Sequence, residues 1–405
     1  RPGAFQPGRH RLPRASHRIL LEKICVPWRA CKPIDLPGDK MEFHEMLRRM
    51  VLEKASDLFV KVGCPPSLRV DGVVQFLDCE EVSPHDSQEI LQIIQDSRPE
   101  ALPQKLDVDT SYDLPGIGRF RVNILHQRGQ LGFVFRHVNQ SVADFNDLNM
   151  PRETLIQLAE QKRGLVLVTG NTGSGKSTTL AAMVHHINET ANRHIITVED
   201  PIEFTFKDRK SIIDQREVGI DTESFPVALR HSLRQSPDVI LIGEMRDRET
   251  MEAAISAAET GHLVLSTLHT VNAVQTLERI IHFFPPHQHE LIRLQLSLVL
   301  TGVVCQRLVP LKDEAGRVPA LEMMINSPTI RELLREGRTH ELAGALRAGE
   351  HYGSCTFNQS LRSLYQADRI TLEEALSYSD FPDELQLELR GVVKGAEMGD
   401  FDFDY

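Results

Sequence analysis

The chain has 405 residues, 41% of them hydrophobic and 25% charged, with a net charge of −11. That length allows two domains with cores of their own, the balance is ordinary for a soluble protein, and the acidity argues against a general nucleic-acid binder, which would show a basic face. No apolar run reaches the length of a membrane span, the six cysteines form no C-x-x-C pair and no H-E-x-x-H is present, which disfavours membrane helices, zinc knuckles, a disulfide framework and a zinc hydrolase.

Residues 1–40 differ from the rest: they hold six of the 22 prolines, the single tryptophan Trp28, and a charge of +6 that leaves −17 for residues 41–405. There is no uninterrupted apolar region for a signal peptide. The segment reads as a disordered or non-native leader lying upstream of a start at Met41, with a basic arm for acidic lipid or partners as the other reading.

Residues 41–147 read as a small α/β domain. Met41 to Lys54 has helical spacing through Phe43, Met46, Leu47, Met50 and Val51. Ser56–Lys61 and Pro66–Val70 are strand-like, with Asp71-Gly72 as a hairpin turn. A helix near Ser87–Asp96 and strands at Gly118–Asn123 and Leu131–Arg136 follow. A linker at 148–153 leads into a helix from about Arg152 to Lys162.

From Gly164 onward strand and helix alternate, the pattern of a mostly parallel sheet. The runs Leu165–Thr169, His194–Val198, Val239–Ile242 and Leu263–Thr267 each end in polar residues. On such sheets ligands sit beyond the carboxyl ends of the strands. The apolar stretch Leu291–Val304, broken by Arg293, Gln295 and Ser297, reads as a partly buried helix. Beyond about Ala320 the chain reads as helices at Thr329–Glu336, Phe357–Ala367 and Thr371–Ser377, and residues 381–405 as an acidic tail.

The stretch after the first of these runs, Gly170-Asn-Thr-Gly-Ser-Gly-Lys-Ser177, fits G-x-x-x-x-G-K-[ST] at every fixed position. It stands between a strand and the helix that opens at Thr178, the context the pattern needs. Gly170, Gly173 and Gly175, with Asn171, Thr172 and Ser174 between them, let consecutive backbone amides turn toward phosphate oxygens. Lys176 would neutralise the β- and γ-phosphates of ATP, and the Ser177 hydroxyl would ligate Mg²⁺. A plain glycine turn before a helix is the bland alternative, and the flanks disfavour it.

Asp238-Val-Ile-Leu-Ile-Gly-Glu244 resembles a second nucleotide motif, an apolar strand delivering an acid. With Gly243 where an aspartate is usual, Glu244 alone would hold the metal, through water. Glu199, Asp200 and Glu203 compete for the base that orients the attacking water. His262 and His269 flank one strand and could sense the γ-phosphate, bridge subunits or be structural. Arg121 and Arg136 are either surface ion-pair residues or arginines that stabilise a transferring phosphoryl group. Arg230 and Arg234 either partner acids or face the nucleotide.

These motifs, with Gln215-Arg-Glu-Val-Gly219, Pro237–Asp247, Ala257–Val264 and Thr267-Leu-His269, resemble the secretion ATPase superfamily. Within it they look like the PilT-type retraction ATPases of type IV pili, over roughly Met41 to Asp380. The PilU-type branch is most similar, on Arg248–Met251, Arg279–Pro285, Met324–Pro328 and Thr356–Asn358. The run Thr329–Glu336 departs at three positions from the matching PilT motif, A-I-R-N-L-I-R-E.

The resemblance implies a PAS-like N-terminal domain and a RecA-like P-loop domain over 154–380 with a helical C-terminal extension. It implies a cytoplasmic homohexamer, peripheral at the inner membrane through the pilus machine, that uses ATP and Mg²⁺ for pilus retraction. The implied partners are a PilT-like paralogue and an inner-membrane platform protein, with no nucleic acid bound directly. Glu203 becomes the catalytic glutamate, Glu244 the Walker B acid, His262 and His269 the His box, and Arg121 and Arg136 the arginines that reach the phosphates. Two other functions remain, a nucleotide-binding partner subunit with little hydrolysis of its own and an ATPase for DNA uptake or secretion.

Overall fold

Two strand patterns divide the protein into two sheets. One has short strands of mixed polarity joined by tight turns; the other has fully apolar strands separated by helices. The computed structural model describes residues 41–70, 72–98, 106–138, 142–313 and 316–390. The expectations for residues 1–40, for Asp71 and for the part of the 381–405 tail beyond Arg390 lie outside the described residues, while the described start of that tail holds a helix over Pro382–Leu389 with Leu385 buried.

The first sheet follows helix α1 (Phe43–Leu52) and contains β1 (Asp57–Lys61), β2 (Ser67–Val70), β3 (Val73–Phe76), β4 (Val108–Leu114), β5 (Gly118–Gln127) and β6 (Gln130–His137), with helix α2 (Pro84–Asp96) between β3 and β4. Its order is β3-β2-β1-β6-β5-β4, with β1–β2 and β2–β3 antiparallel. Val70 pairs with Val73, so β2 and β3 form the expected hairpin, and Gly72 takes a left-handed φ of +82°. The alternation in β4 is carried by Val108, Thr110, Tyr112 and Leu114, and its polar members hid the strand from a hydrophobic reading.

The second sheet has seven strands in the order β13-β12-β7-β11-β10-β8-β9. They are β7 (Gly164–Thr169), β8 (His194–Glu199), β9 (Ile212–Glu217), β10 (Val239–Ile242), β11 (Leu263–Leu268), β12 (Leu300–Pro310) and β13 (Arg317–Ile325). All neighbours run parallel except the β12–β13 hairpin. The helices are α3 (Arg152–Ala159), α4 (Lys176–Thr190), α5 (Phe225–Ser232), α6 (Arg248–Glu259), α7 (Ala273–His282), α8 (His289–Val299), α9 (Pro328–Glu336), α10 (Leu342–Ala348), α11 (Phe357–Gln366), α12 (Leu372–Ser377) and α13 (Pro382–Leu389).

This sheet is buried on both faces, which is why its central strands read as unbroken apolar runs. Leu165 and Leu167 of β7 face one core with residues of α6, α7 and α8, while Val166 and Val168 face another with residues of α3 and α4. Each parallel strand delivers its carboxyl end to the same edge, and that shared edge sets the position of the site described below.

Two readings from the sequence need correction. Leu291–Val304 is not one helix: α8 stops at Val299 and β12 begins at Leu300. The β-branched residues Thr301, Val303 and Val304 favour the strand. Gly302 fits there because a Cβ would lie 3.0 Å from Leu158 and 3.1 Å from the Met324 carbonyl. The C-terminal helices likewise begin only at Pro328, because Arg317–Ile325 pairs along β12.

By contacts the chain forms two compact units, one running to Ile93 with Ile124–Phe135, the other holding Ile94–Asn123 and everything from Arg136 onward. No helix among the described residues is long and apolar enough to cross a membrane. Leu167 is fully buried in the middle of β7. Leu167→Ala should therefore cost about 2–5 kcal/mol, seen as a lower urea midpoint; an unchanged midpoint would remove Leu167 from the core.

Candidate nucleotide site

The turn after β7 is built by glycine geometry. Gly170 has φ +142°, and a Cβ there would lie 2.5 Å from the Gln306 carbonyl oxygen and 2.6 Å from Ser174 Oγ. Gly175 caps α4 in the left-handed region at φ +91°. Among the described residues the amides of Gly173, Gly175, Lys176, Ser177 and Thr178 have no hydrogen-bond acceptor, as a helix start leaves them. The buried Ser174 hydroxyl is also unpartnered. A row of unpaired donors at the positive end of a helix suits a phosphate chain.

Lys176 is buried, and its ammonium donates to the carbonyls of Gly170 at 2.9 Å and Asn171 at 3.0 Å. Burial lowers its pKa, while the carboxylates of Glu244 and Glu203 work in the opposite direction. A cavity of about 420 Å³ opens over the loop. Thr172, Gly173, Gly175, Lys176, Ser177 and Thr178 line it on one side. Glu199 at the end of β8, Asp200 and Glu203 just beyond it, Glu244 from beyond β10 and His269 from beyond β11 also line it.

The acids differ in environment. Glu244 sits between Arg246 at 2.7 Å and His269 at 3.4 Å. Burial pushes its pKa up, but Arg246, His269 and Lys176 together hold it below the usual carboxylate value. Glu199 is partly buried and accepts from Thr197 Oγ1 at 2.7 Å and Gln215 Nε2 at 3.4 Å. Desolvation pushes it up to about 7, against those hydrogen bonds. Glu203 is exposed to the cavity, its backbone amide 3.5 Å from Glu199 Oε2.

Residues 40–375 match the family described as Type II/IV secretion system protein. The type IV pilus ATPase PilU of Pseudomonas aeruginosa is 44% identical over 351 residues, covering 86% of this chain and 92% of that protein. The type IV pilus retractation ATPase PilT of the same organism is 41% identical over 344 residues, covering 85% and 99%. A crystal structure of the pilus retraction motor PilT with bound ADP has a TM-score of 0.79 at 43% identity, covering 86% of this chain and 99% of that one. The chain belongs to the PilT/PilU family of secretion ATPases.

The residues singled out in this PilT/PilU-family chain are not all gathered at the cavity. His269 lines it, but His262 does not. His262 precedes β11 at the end where Leu263 pairs with Gly164, roughly 20 Å along the strand from the loop. Its Nδ1 lies 2.9 Å from the Ala257 carbonyl. Arg121 is exposed, 3.7 Å from Asp109, and Arg136 is also exposed; neither they nor Arg230 and Arg234 line the cavity.

Several lining residues went unremarked in the sequence. Arg246 follows Glu244 by two positions within the quoted Pro237–Asp247 motif, and that adjacency was the available signal. Phe206, Phe225, Leu308 and Arg317 come from four separate segments, and no spacing joins them. Among the oxygen groups that line the cavity, the Ser177 hydroxyl and the Glu244 carboxylate are of the kind that suits Mg²⁺.

The raised carboxyl of Glu199 has a measurable sign. Its value in the fold lies above the usual 4.5, so the folded chain holds this proton more tightly than the unfolded one. The stability it contributes is full below about pH 4.5 and is lost as pH rises through about 7. Glu199→Gln should remove that loss. Its melting temperature relative to wild type should climb by a few degrees across this window, and a difference that stays flat with pH would contradict the assignment.

Proposed function

We propose that this chain is an ATP-hydrolysing motor subunit that drives type IV pilus retraction. One observation carries the reading: the phosphate loop, with Lys176 beneath it, shares a cavity with Glu203 and Glu244 at the carboxyl edge of a parallel sheet. The pilus ATPase functions of the related PilU and PilT and the ADP bound to the related motor support the nucleotide and the process.

In this reading the free amides of Gly173, Gly175, Lys176, Ser177 and Thr178 bind the phosphate chain, and Lys176 leaves the loop carbonyls to meet the β- and γ-phosphates. Ser177, with Glu244 through water, would hold Mg²⁺, whose role is to neutralise charge on those phosphates. Glu203 aligns the attacking water: it faces the cavity without a side-chain hydrogen bond among the described residues, whereas the oxygens of Glu199 are already engaged. His269 orients Glu244 and lies where it can respond to the γ-phosphate. Arg121 and Arg136 are carried over from the resemblance as arginines that reach the phosphates, and His262, with His269, as the His box. The assembly is a cytoplasmic homohexamer, held at the inner membrane by a platform protein and working beside a PilT-like paralogue.

A second reading, a partner subunit with little turnover of its own, is favoured by the run Thr329–Glu336 and its three departures from the PilT motif. These residues form α9, capped by Ser327, whose hydroxyl accepts from the Ile330 amide.

Glu203→Ala should bind ATP as wild type does while its kcat falls by at least about 100-fold. Equilibrium nucleotide binding and phosphate release measured on one preparation check this. Near-normal turnover would move the water-aligning role to Glu199 or Asp200.

A further inference from the structure

The motif Gln215-Arg-Glu-Val-Gly219 has no task in the mechanism above, yet its side chains converge on the segment that carries Glu203. Gln215 and Glu217 lie two apart on β9, the edge strand of the second sheet, and so face the same side. Gln215 Nε2 donates to the Phe204 carbonyl at 2.8 Å, and its Oε1 accepts from the Phe206 amide at 2.9 Å. Glu217 Oε2 accepts from the Ile202 amide at 3.2 Å. Thus the backbone is fixed at Ile202, Phe204 and Phe206, and the intervening Glu203 side chain is left to face the cavity.

Glu217 is 2% exposed, so its charge needs compensation. Arg119 of β5 supplies it at 2.7 Å, within the same compact unit of the chain. Arg119 is held in turn by Asp113 at 2.6 Å and Ser111 Oγ at 2.8 Å. The Glu217 amide donates to Asp221 at 2.8 Å, which fixes the strand end from the other side. A solvated surface pair would not be buried to this degree or share its carboxylate oxygen with a loop amide two residues from Phe204.

We propose that Gln215 and Glu217 are positioning residues for the Glu203 carboxylate, with Arg119 holding Glu217 in place. This rests on the reading of Glu203 as the group that aligns water. The two residues touch neither nucleotide nor water in this account; they act by fixing the backbone on both sides of Glu203. Arg119 stands two residues before Arg121 on β5, so any displacement of that strand would be felt at Glu203 through one ion pair.

The test uses the full chain, with steady-state Mg²⁺-ATP hydrolysis and equilibrium binding of a fluorescent ADP. Gln215→Ala, Glu217→Ala and Arg119→Ala should each lower kcat about 10- to 100-fold while the ADP Kd stays within about two-fold of wild type. Arg119→Lys should recover part of the loss, and Gln215→Ala should lower turnover no further in a Glu203→Ala background. A structural role alone would move binding and melting temperature together with kcat. Should the stranded charge of Glu217→Ala or Arg119→Ala prevent folding, Gln215→Ala, which leaves no buried charge behind, decides the matter. Normal kcat in Gln215→Ala with an inactive Glu203→Ala would overturn this proposal alone. Normal turnover in Glu203→Ala would overturn the reading beneath it.

Discussion

The ammonium of Lys176 lies buried under a glycine turn, held by the carbonyls of Gly170 and Asn171 and facing the charges of Glu203 and Glu244. Few arrangements of a buried cation are stable without such partners. Carbonyls from the loop and carboxylates from two other strand ends must therefore meet at one point. The parallel sheet provides that meeting because β7, β8 and β10 all end on the same edge. Gly170 is part of the same constraint, since any larger residue would strike the Gln306 carbonyl and lift the loop away from β12.

From that point the acids are sorted by environment. Glu244 is kept ionised by Arg246 and His269, which suits a residue that holds a cation through water. Glu199 is desolvated and hydrogen-bonded, and it braces the Glu203 amide and Gln215. Glu203 keeps its side chain open to the cavity while side chains of β9 fix its neighbours. Glu244, Glu199 and Glu203 thus occupy three different physical situations around one cavity, and only their partners separate them.

Much of this was legible in the sequence. The phosphate loop and the four central strands of the second sheet were readable because each is contiguous, and burial on both faces leaves an unbroken apolar signature. The edge strand β9 was not readable, since its inward-facing positions, Ile213, Gln215 and Glu217, are mostly polar and Ile212 on the other face is exposed. The β12 boundary was hidden because helix α8 and the strand share one apolar stretch. The resemblance paired His262 and His269 as one box, while the six-residue strand between them places them at its opposite ends, as their spacing already indicated. The tasks of Gln215 and Glu217 depend on cross-segment hydrogen bonds, which no local pattern encodes.

In the proposed function this chain is a motor in its own right. That role is tested most directly by steady-state Mg²⁺-ATP hydrolysis of the purified full chain, with Lys176→Ala as the blank. A self-sufficient motor shows clear turnover above the blank. ATP that binds to the wild-type chain without turnover would contradict that role and assign the chain instead to a coupled subunit whose chemistry waits for a second ATPase.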